Sequence, residues 1–273
     1  ILAGPAMSRR ASYQFGRSLP KGERGQVDAG LGKTSSTGAI TLIPPTDYIS
    51  RDMETRVVDG VEIVFLMAPD SEAPAEFHMY YPKFRVLNMA ENTVHNFHNL
   101  LPFRGAVVRD SRSWSHYIDV ALEKFGAKSD ALIGQHHWPV WDSPRIMEYL
   151  KVQRDLYKYV HDQTLRLANL GYTPAEIAET IELPNSICCS WHARGYYGTL
   201  QHNSKAVYQR YLGWYDAIPA NLNPLPPVDA AKNYVAYMGG VDAAMTKARE
   251  DVKKGNYRWV AEVMKHVVFA DPS

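Results

Sequence analysis

The chain has 273 residues, of which 45% are hydrophobic and 22% charged, as is typical of a globular protein. This length allows one large domain or two ordinary ones, and we expect two. The net charge is +1, from 30 basic and 29 acidic side chains, so composition disfavours binding to nucleic acid or to anionic membranes. No apolar run approaches the roughly 20 residues that span a bilayer.

The ends of the chain and its cysteines leave the cellular compartment open. The sequence starts at Ile1 without an initiator Met and stops at Ser273 directly after an amphipathic segment. We therefore expect the chain to be a piece of a longer protein, processed or truncated at both ends. Cys188 and Cys189 are adjacent, and such neighbours rarely form a disulfide. A soluble periplasmic or secreted protein remains compatible with the sequence.

Up to Trp141 the sequence favours short β-strands. Two apolar runs, residues 56–58 and 61–67, flank Asp59 and Gly60, a pair typical of a hairpin turn. Between Ser111 and Phe125 the apolar residues recur at helical spacing. Because strands and a helix alternate, this part is predicted to be α/β. Further strands are predicted at residues 77–81, 84–90, 105–108 and 131–134.

From Ser143 onward the pattern is helical. Ser143 and Pro144 form a helix start, and the predicted helix ends at Leu170 before a capping Gly171. Thr173 and Glu176 have the spacing of a capping box. We therefore place a domain boundary between residues 142 and 143, with an all-α domain after it. Further helices are predicted at residues 204–215, 229–238, 242–253 and 257–269, with a proline-rich linker at 221–228.

Acids and imidazoles follow several of the predicted strands. Glu72 lies in a loop after the strand 61–67, Glu91 ends the strand that begins at Phe84, and His136 and His137 end another short strand. Carboxylate oxygen and imidazole nitrogen together form a ligand set that suits zinc. Each residue alone has a plain alternative, a solvated loop acid or a hydrogen-bonded histidine. Adjacent strand residues face opposite sides, so only one of the two histidines is expected to face a given metal.

Two long motifs resemble a known family. The segments MAENTVHNFHNLLPFRGAVVRD (89–110) and GQHHWPVW (134–141) are similar to alkyl sulfatases of the metallo-β-lactamase superfamily. The resemblance implies that residues 1–142 are the C-terminal part of an αββα sandwich and that residues 143–273 are a helical dimerisation domain. It also implies a homodimer that acts on a small-molecule alkyl sulfate.

In this family two Zn²⁺ ions lie between a His-x-His-x-Asp-His motif and three later ligands. By motif match the later three are Glu72, Glu91 and His136, with Glu91 as the bridging ligand. The first motif does not occur in these 273 residues, and the closest imitations, His95 with His98 and His161 with Asp162, have the wrong spacing. In the family it lies upstream of the region where this chain begins. The chain is thus expected to supply about half of a dinuclear zinc site.

Four more residues are candidates for contacts with the substrate. A guanidinium and an amide suit a sulfate ester, and the resemblance makes Asn99 and Arg104 the expected sulfate-binding residues. In the segment RGYYGTLQHN (194–203), Tyr197 and His202 are candidates for the acid or donor at the leaving-group oxygen. The alternatives are a surface arginine for Arg104 and a packed loop for the segment 194–203.

The segment GLGKTSSTG (30–38) imitates a phosphate-binding loop. The P-loop pattern needs glycine where Val27 stands, and no apolar strand leads into the segment, so an ATPase is disfavoured. We expect residues 29–34 to line the substrate pocket instead.

The expected activity is zinc-dependent hydrolysis of an alkyl sulfate ester by a longer enzyme. Attack at sulfur and attack at carbon would use the same ligands, so both stay open. One alternative is a metal-free scaffold or dimerisation fragment, since the first metal motif is absent. Another is a different metallo-β-lactamase-fold hydrolase, which is disfavoured because Glu72 and Glu91 stand where His or Asp is usual.

Overall fold

A computed structural model of the chain describes residues 5–16, 19–28, 41 and 43–271. The predicted pocket segment 29–34 lies outside the described residues. The chain divides into two units, residues 1–214 and 215–273. The first unit therefore extends past residues 142 and 143, where the domain boundary was predicted. The division into a catalytic and a dimerisation domain at that point stays a prediction.

The described residues of the first unit contain a six-stranded mixed sheet with strand order β1-β2-β3-β4-β5-β6. Asp59 and Gly60, both at positive φ, form the turn between β1 and β2, and this confirms the predicted hairpin. All neighbours are antiparallel except β4 and β5, which are parallel and are joined through a helix. The strands are β1 Glu54–Val58, β2 Val61–Met67, β3 Phe77–Tyr81, β4 Val86–Asn88, β5 Ala131–Ile133 and β6 Val140–Trp141.

This topology brings three strand ends to one edge of the sheet. Because β3 runs antiparallel to both β2 and β4, the strands β2, β4 and β5 all point the same way. The loops that follow these three strands therefore leave the sheet at the same edge.

The strand predicted at residues 105–108 was wrong. Residues 105–108 form no strand, Gly105 has a φ of 116°, and Val107 is 81% exposed while Val108 packs against the core. It belongs to the irregular connection, residues 89–110, that links β4 to the next helix.

Most of the predicted helices of the first unit are present, although the helix predicted at residues 204–215 spans Leu200–Leu212. Asp110 caps the helix at Ser111–Phe125, where its Oδ1 accepts from the backbone N–H groups of Arg112 and Ser113. Thr173 and Glu176 form the predicted capping box. The helices are α1 Pro5–Phe15, α2 Ser111–Phe125, α3 Ser143–Asn169, α4 Pro174–Thr180, α5 Asn185–Cys188 and α6 Leu200–Leu212.

Helices α2 and α3 pack together in the core of this unit. The rings of Trp114 and Tyr157 stack at 4.5 Å between centroids, and both side chains are fully buried. Aromatic burial of this kind contributes on the order of 2 kcal/mol per ring to stability. Trp114 also donates its indole N–H to the carbonyl of Asn92 at 2.7 Å, so the core holds the loop that follows β4.

The second unit is helical throughout its regular structure. Its small buried residues are Ala231, Val235, Ala244 and Ala248, while Tyr237 and Trp259 are exposed. Among the described residues, no helix is both long and apolar enough to cross a membrane. The helices are α7 Pro219–Leu222, α8 Pro227–Tyr237, α9 Val241–Lys253 and α10 Tyr257–Ala270.

Candidate metal and sulfate site

The loops at the common sheet edge carry the predicted ligands. Glu72 lies between β2 and β3, Glu91 lies three residues after β4, and His136 lies between β5 and β6. The Nε2 atom of His136 lies 3.0 Å from Oε1 of Glu91. The ring of His137 instead stacks on that of His95, with 4.9 Å between the ring centroids. The histidines were predicted to end a strand, but they lie in the loop after it.

Glu72 and Glu91 form a potential metal-binding group with His98. One ligand atom from each of these three side chains lies within 4.8 Å of the other two. The Nε2 atom of His98 is also 3.0 Å from Oε1 of Glu91. Sequence reasoning missed His98 because its spacing from His95 matches no metal motif. Its place seven residues after Glu91, in an irregular loop, gave no periodic signal.

The surroundings of His98 fix the orientation of its ring. The Nδ1 atom lies 3.0 Å from the carbonyl oxygen of Asn99, which leaves Nε2 directed at Glu91. Nη1 of Arg109 also lies 3.3 Å from Nδ1. When Nδ1 carries the ring proton it donates to the Asn99 carbonyl, which is the usual support of a metal-binding imidazole. The hydrogen bond with His98 lowers the pKa of Glu91 against the opposing effect of burial, and the charges of His98, His136 and Arg109 add to the lowering. Glu91 is therefore anionic near neutral pH.

Arg109 is the second residue that sequence reasoning missed. Its guanidinium binds the carboxylate of Glu72, and its Nε donates to the carbonyl oxygen of Glu72 at 2.7 Å. Nη1 donates to both the backbone oxygen and Oδ1 of Asn99. The Arg109 and Glu72 side chains are only 11% and 10% exposed, so this is a largely buried ion pair. Arg109 thus joins a predicted ligand to a predicted sulfate-binding residue.

Glu76 adds a third carboxyl group to the cluster. Burial, followed by the charge of Glu72 and a hydrogen bond with it, raises the pKa of Glu76 to about 8. At neutral pH this carboxyl group keeps its proton, which it can donate to Glu72.

Two of the four predicted substrate residues, Asn99 and Tyr197, lie at the cluster, and contacts with it are not seen for the other two, His202 and Arg104, among the described residues. Asn99 is buried beside the cluster, and because its Oδ1 accepts from Arg109 its amide presents Nδ2 as a donor. The ring of Tyr197 meets His98 edge-on at 4.9 Å. His202 lies against Phe103 at 5.1 Å instead, and burial and then Lys205 lower its pKa. Within the described part of the chain, the Arg104 side chain makes no hydrogen bond or ion pair.

The segment 194–198 is held against the loop that carries His98. The N–H of Gly198 donates to the carbonyl of Phe97 at 2.7 Å, and the N–H of Phe97 donates to the carbonyl of Arg194 at 2.8 Å. A Cβ atom on Gly198 would lie 2.4 Å from the carbonyl oxygen of His98, so glycine is required there. Asn203 on α6 also donates to that oxygen, at 2.9 Å. These contacts position Tyr197 over the cluster.

An aromatic cleft of about 660 Å³ opens beside His137. Trp138 and Trp191 stack almost parallel in its wall, with ring centroids 5.9 Å apart, and His95 meets both rings edge-on. Arg145 and Glu148 supply its charged groups. The cleft can therefore accept a mainly apolar group close to the loop of His136.

Known proteins are similar to this chain along its whole length. The chain is 58% identical over 273 residues to an alkyl/aryl-sulfatase of Saccharomyces cerevisiae, a match that covers 100% of this chain and 42% of that protein. It is 52% identical to a linear primary-alkylsulfatase of Pseudomonas sp., where the match covers 40% of the relative. The chain is homologous to alkylsulfatases. It spans about two fifths of the length of these relatives.

The fold of this alkylsulfatase homologue agrees with a solved structure. A stereoselective inverting sec-alkylsulfatase from Pseudomonas sp. superposes with a TM-score of 0.92 at 49% identity, covering 100% of this chain and 43% of that one. Residues 173–273 match the alkyl sulfatase dimerisation family. The predicted resemblance and the predicted order of an α/β part followed by a helical part are thereby confirmed.

Proposed function

We propose that this chain is part of an alkylsulfatase, in which it supplies one half of a zinc centre that hydrolyses alkyl sulfate esters to alcohol and sulfate. The observation that carries the proposal is the convergence of Glu72, Glu91 and His98 within 4.8 Å in a homologue of alkylsulfatases. The match covers less than half of each relative, so the complete enzyme includes parts beyond these residues.

The donor set fits zinc. Glu72, Glu91 and His136 are the ligands that the resemblance implies, and His98 adds a second imidazole beside Glu91. Two carboxylates with imidazole nitrogen are common zinc ligands, and the Nδ1 hydrogen bond of His98 supports its ring as such a ligand requires. When bound, zinc supplies Lewis acidity that activates water and offsets charge on the ester oxygens.

The remaining residues hold the substrate. The Nδ2 donor of Asn99 and the guanidinium of Arg104 bind the sulfate group, and Arg109 keeps the Asn99 amide in the required orientation. Tyr197 and His202 are the candidate donors to the leaving alcohol oxygen. The cleft of Trp138 and Trp191 takes the alkyl chain, because it begins beside the loop of His136.

We also propose that the protein is a homodimer. The support is the match of residues 173–273 to the alkyl sulfatase dimerisation family, together with the exposed Tyr237, Tyr257 and Trp259 of the last helices. Light scattering of the purified protein tests this point, and a monomeric mass at micromolar concentration would contradict it.

Sulfate release from dodecyl sulfate tests the proposed activity. The complete protein should release sulfate, and Glu91→Gln should lower kcat by at least about a hundredfold, because the variant keeps the shape of the side chain but loses its charge. Glu123→Gln, an exposed glutamate on α2, is the matched control and should keep full activity. Full activity of Glu91→Gln would contradict the metal assignment. Absence of both zinc and activity in the unmodified protein would favour a non-catalytic dimerisation fragment.

A further inference from the structure

A buried hydrogen-bond network links the two loops that carry the carboxylates. Ser71 immediately precedes Glu72, and Asn92 immediately follows Glu91. The Asn92 amide Nδ2 lies 3.0 Å from Oγ of Ser71, and Oγ also lies 3.2 Å from Oδ1 of Asn92. Ser71 is 1% exposed and Asn92 is fully buried, so no water competes for these groups.

Asn92 makes further hydrogen bonds with a strand, a helix and its own loop. Its Nδ2 lies 2.8 Å from Nε2 of His78 on β3, and its backbone oxygen accepts from the indole N–H of Trp114 on α2. Its backbone N–H donates to the carbonyl oxygen of Met89 at 3.0 Å. Because strand, helix and loop all fix Asn92, its amide is a rigid anchor, and Ser71 ties the other loop to that anchor.

We propose that the Ser71–Asn92 side-chain pair sets the separation of Glu72 and Glu91 and is thereby a positioning element of the metal site. The inference rests on the proposed function, because it assigns these residues a role toward the metal that Glu72 and Glu91 would hold. Supports of metal ligands commonly change metal affinity by about 10- to 100-fold when they are removed. The Ser71–Asn92 pair acts on the position of the carboxylates and touches no ligand atom itself.

The chain offers a matched control for Ser71. Ser129 is also fully buried, and its Oγ also donates to a backbone carbonyl, that of Phe125 at 2.8 Å. Ser71 has the same kind of bond to the carbonyl of Ala68. Ser71→Ala and Ser129→Ala therefore remove a similar buried hydroxyl, but only the first removes the link between the two carboxylate loops.

The test measures the dissociation constant of Zn²⁺ for the complete protein, by competition with a chromophoric chelator, and the melting temperature in excess chelator. Ser71→Ala should weaken zinc binding about tenfold relative to Ser129→Ala, while the two variants lose similar amounts of melting temperature. Adding Ser71→Ala to Asn92→Ala should weaken binding little further, because one variant already breaks the shared bond.

The outcomes separate the inference from the proposed function. Equal zinc affinity in Ser71→Ala and Ser129→Ala would overturn the positioning role and leave the zinc site standing. An additive loss in the double variant would also overturn it. Absence of zinc binding in the unmodified protein would overturn the proposed function and this inference together.

Discussion

Arg109 should stabilise the metal-free protein strongly, because it is the cationic partner of a carboxylate that is largely buried. Arg109→Met removes the guanidinium and keeps much of the side-chain volume, so Glu72 is left 10% exposed without its partner. Removing one member of a buried ion pair costs about 3–5 kcal/mol. For a unit of about 200 residues this corresponds to a fall in melting temperature on the order of 10 °C.

The charge of Glu72 is the source of that loss, and a second variant tests this cause. In the Arg109→Met background, Glu72→Gln removes the unpaired charge and should restore about half of the lost free energy. The assay is urea unfolding in excess chelator, followed by tryptophan fluorescence. A double variant that is no more stable than Arg109→Met would refute the reasoning, since the loss would then come from the donors to Asn99 and not from the carboxylate.

Three further predictions concern pH, packing and substrate length. Burial lowers the pKa of His78 to about 3 from the ordinary 6.5, so only the unfolded chain takes up its proton between these values. The contribution of His78 to the free energy of unfolding should be constant above pH 6.5 and should fall below that pH by at most about 1.4 kcal/mol per pH unit. The difference in stability between the unmodified protein and His78→Gln should therefore change with pH, and a constant difference would contradict this. Gly198→Ala should destabilise the protein by about 2 kcal/mol, because the added Cβ would overlap the carbonyl oxygen of His98. Tyr196→Ala, at an exposed position, is the control and should have little effect. Equal unfolding midpoints for the two variants would refute the clash. Trp138→Ala should raise KM about tenfold for dodecyl sulfate but little for butyl sulfate, and an equal effect on both would exclude the cleft as the chain-binding site.

Local sequence patterns were enough to predict much of the fold. The hairpin at Asp59 and Gly60 depends on two residues that adopt positive φ, and the capping box of Thr173 and Glu176 depends on groups within one turn. The helix at Ser111–Phe125 was predicted to the residue from the helical spacing of its apolar residues. Each of these features is decided by neighbours in the sequence.

The predicted strand at 105–108 shows where local patterns fail. Its apolar residues Val107 and Val108 fit a strand, but a strand also needs a neighbour with free backbone groups. In the connection from β4 to α2, residues 105–108 pair with no strand, and Val107 remains exposed. The failure therefore came from tertiary structure, which overrides a short apolar run.

The candidate site divides in the same way. Glu72, Glu91 and His136 could be named because each follows a strand and matches a family motif, and the parallel pairing of β4 and β5 brings their loops to one edge. His98 and Arg109 lie in the irregular segment 89–110, where no period relates spacing to position. Their contacts with Glu91 and Glu72 depend on the path of that loop, which the sequence alone does not specify.

Zinc titration of the metal-free complete protein, with sulfate release from dodecyl sulfate as the readout, tests the central claim most directly. The account predicts that chelation abolishes sulfate release and that activity returns in proportion to added Zn²⁺, with a plateau near two equivalents per chain. It also predicts that Glu91→Gln does not recover. Sulfate release that survives complete removal of zinc would contradict the account.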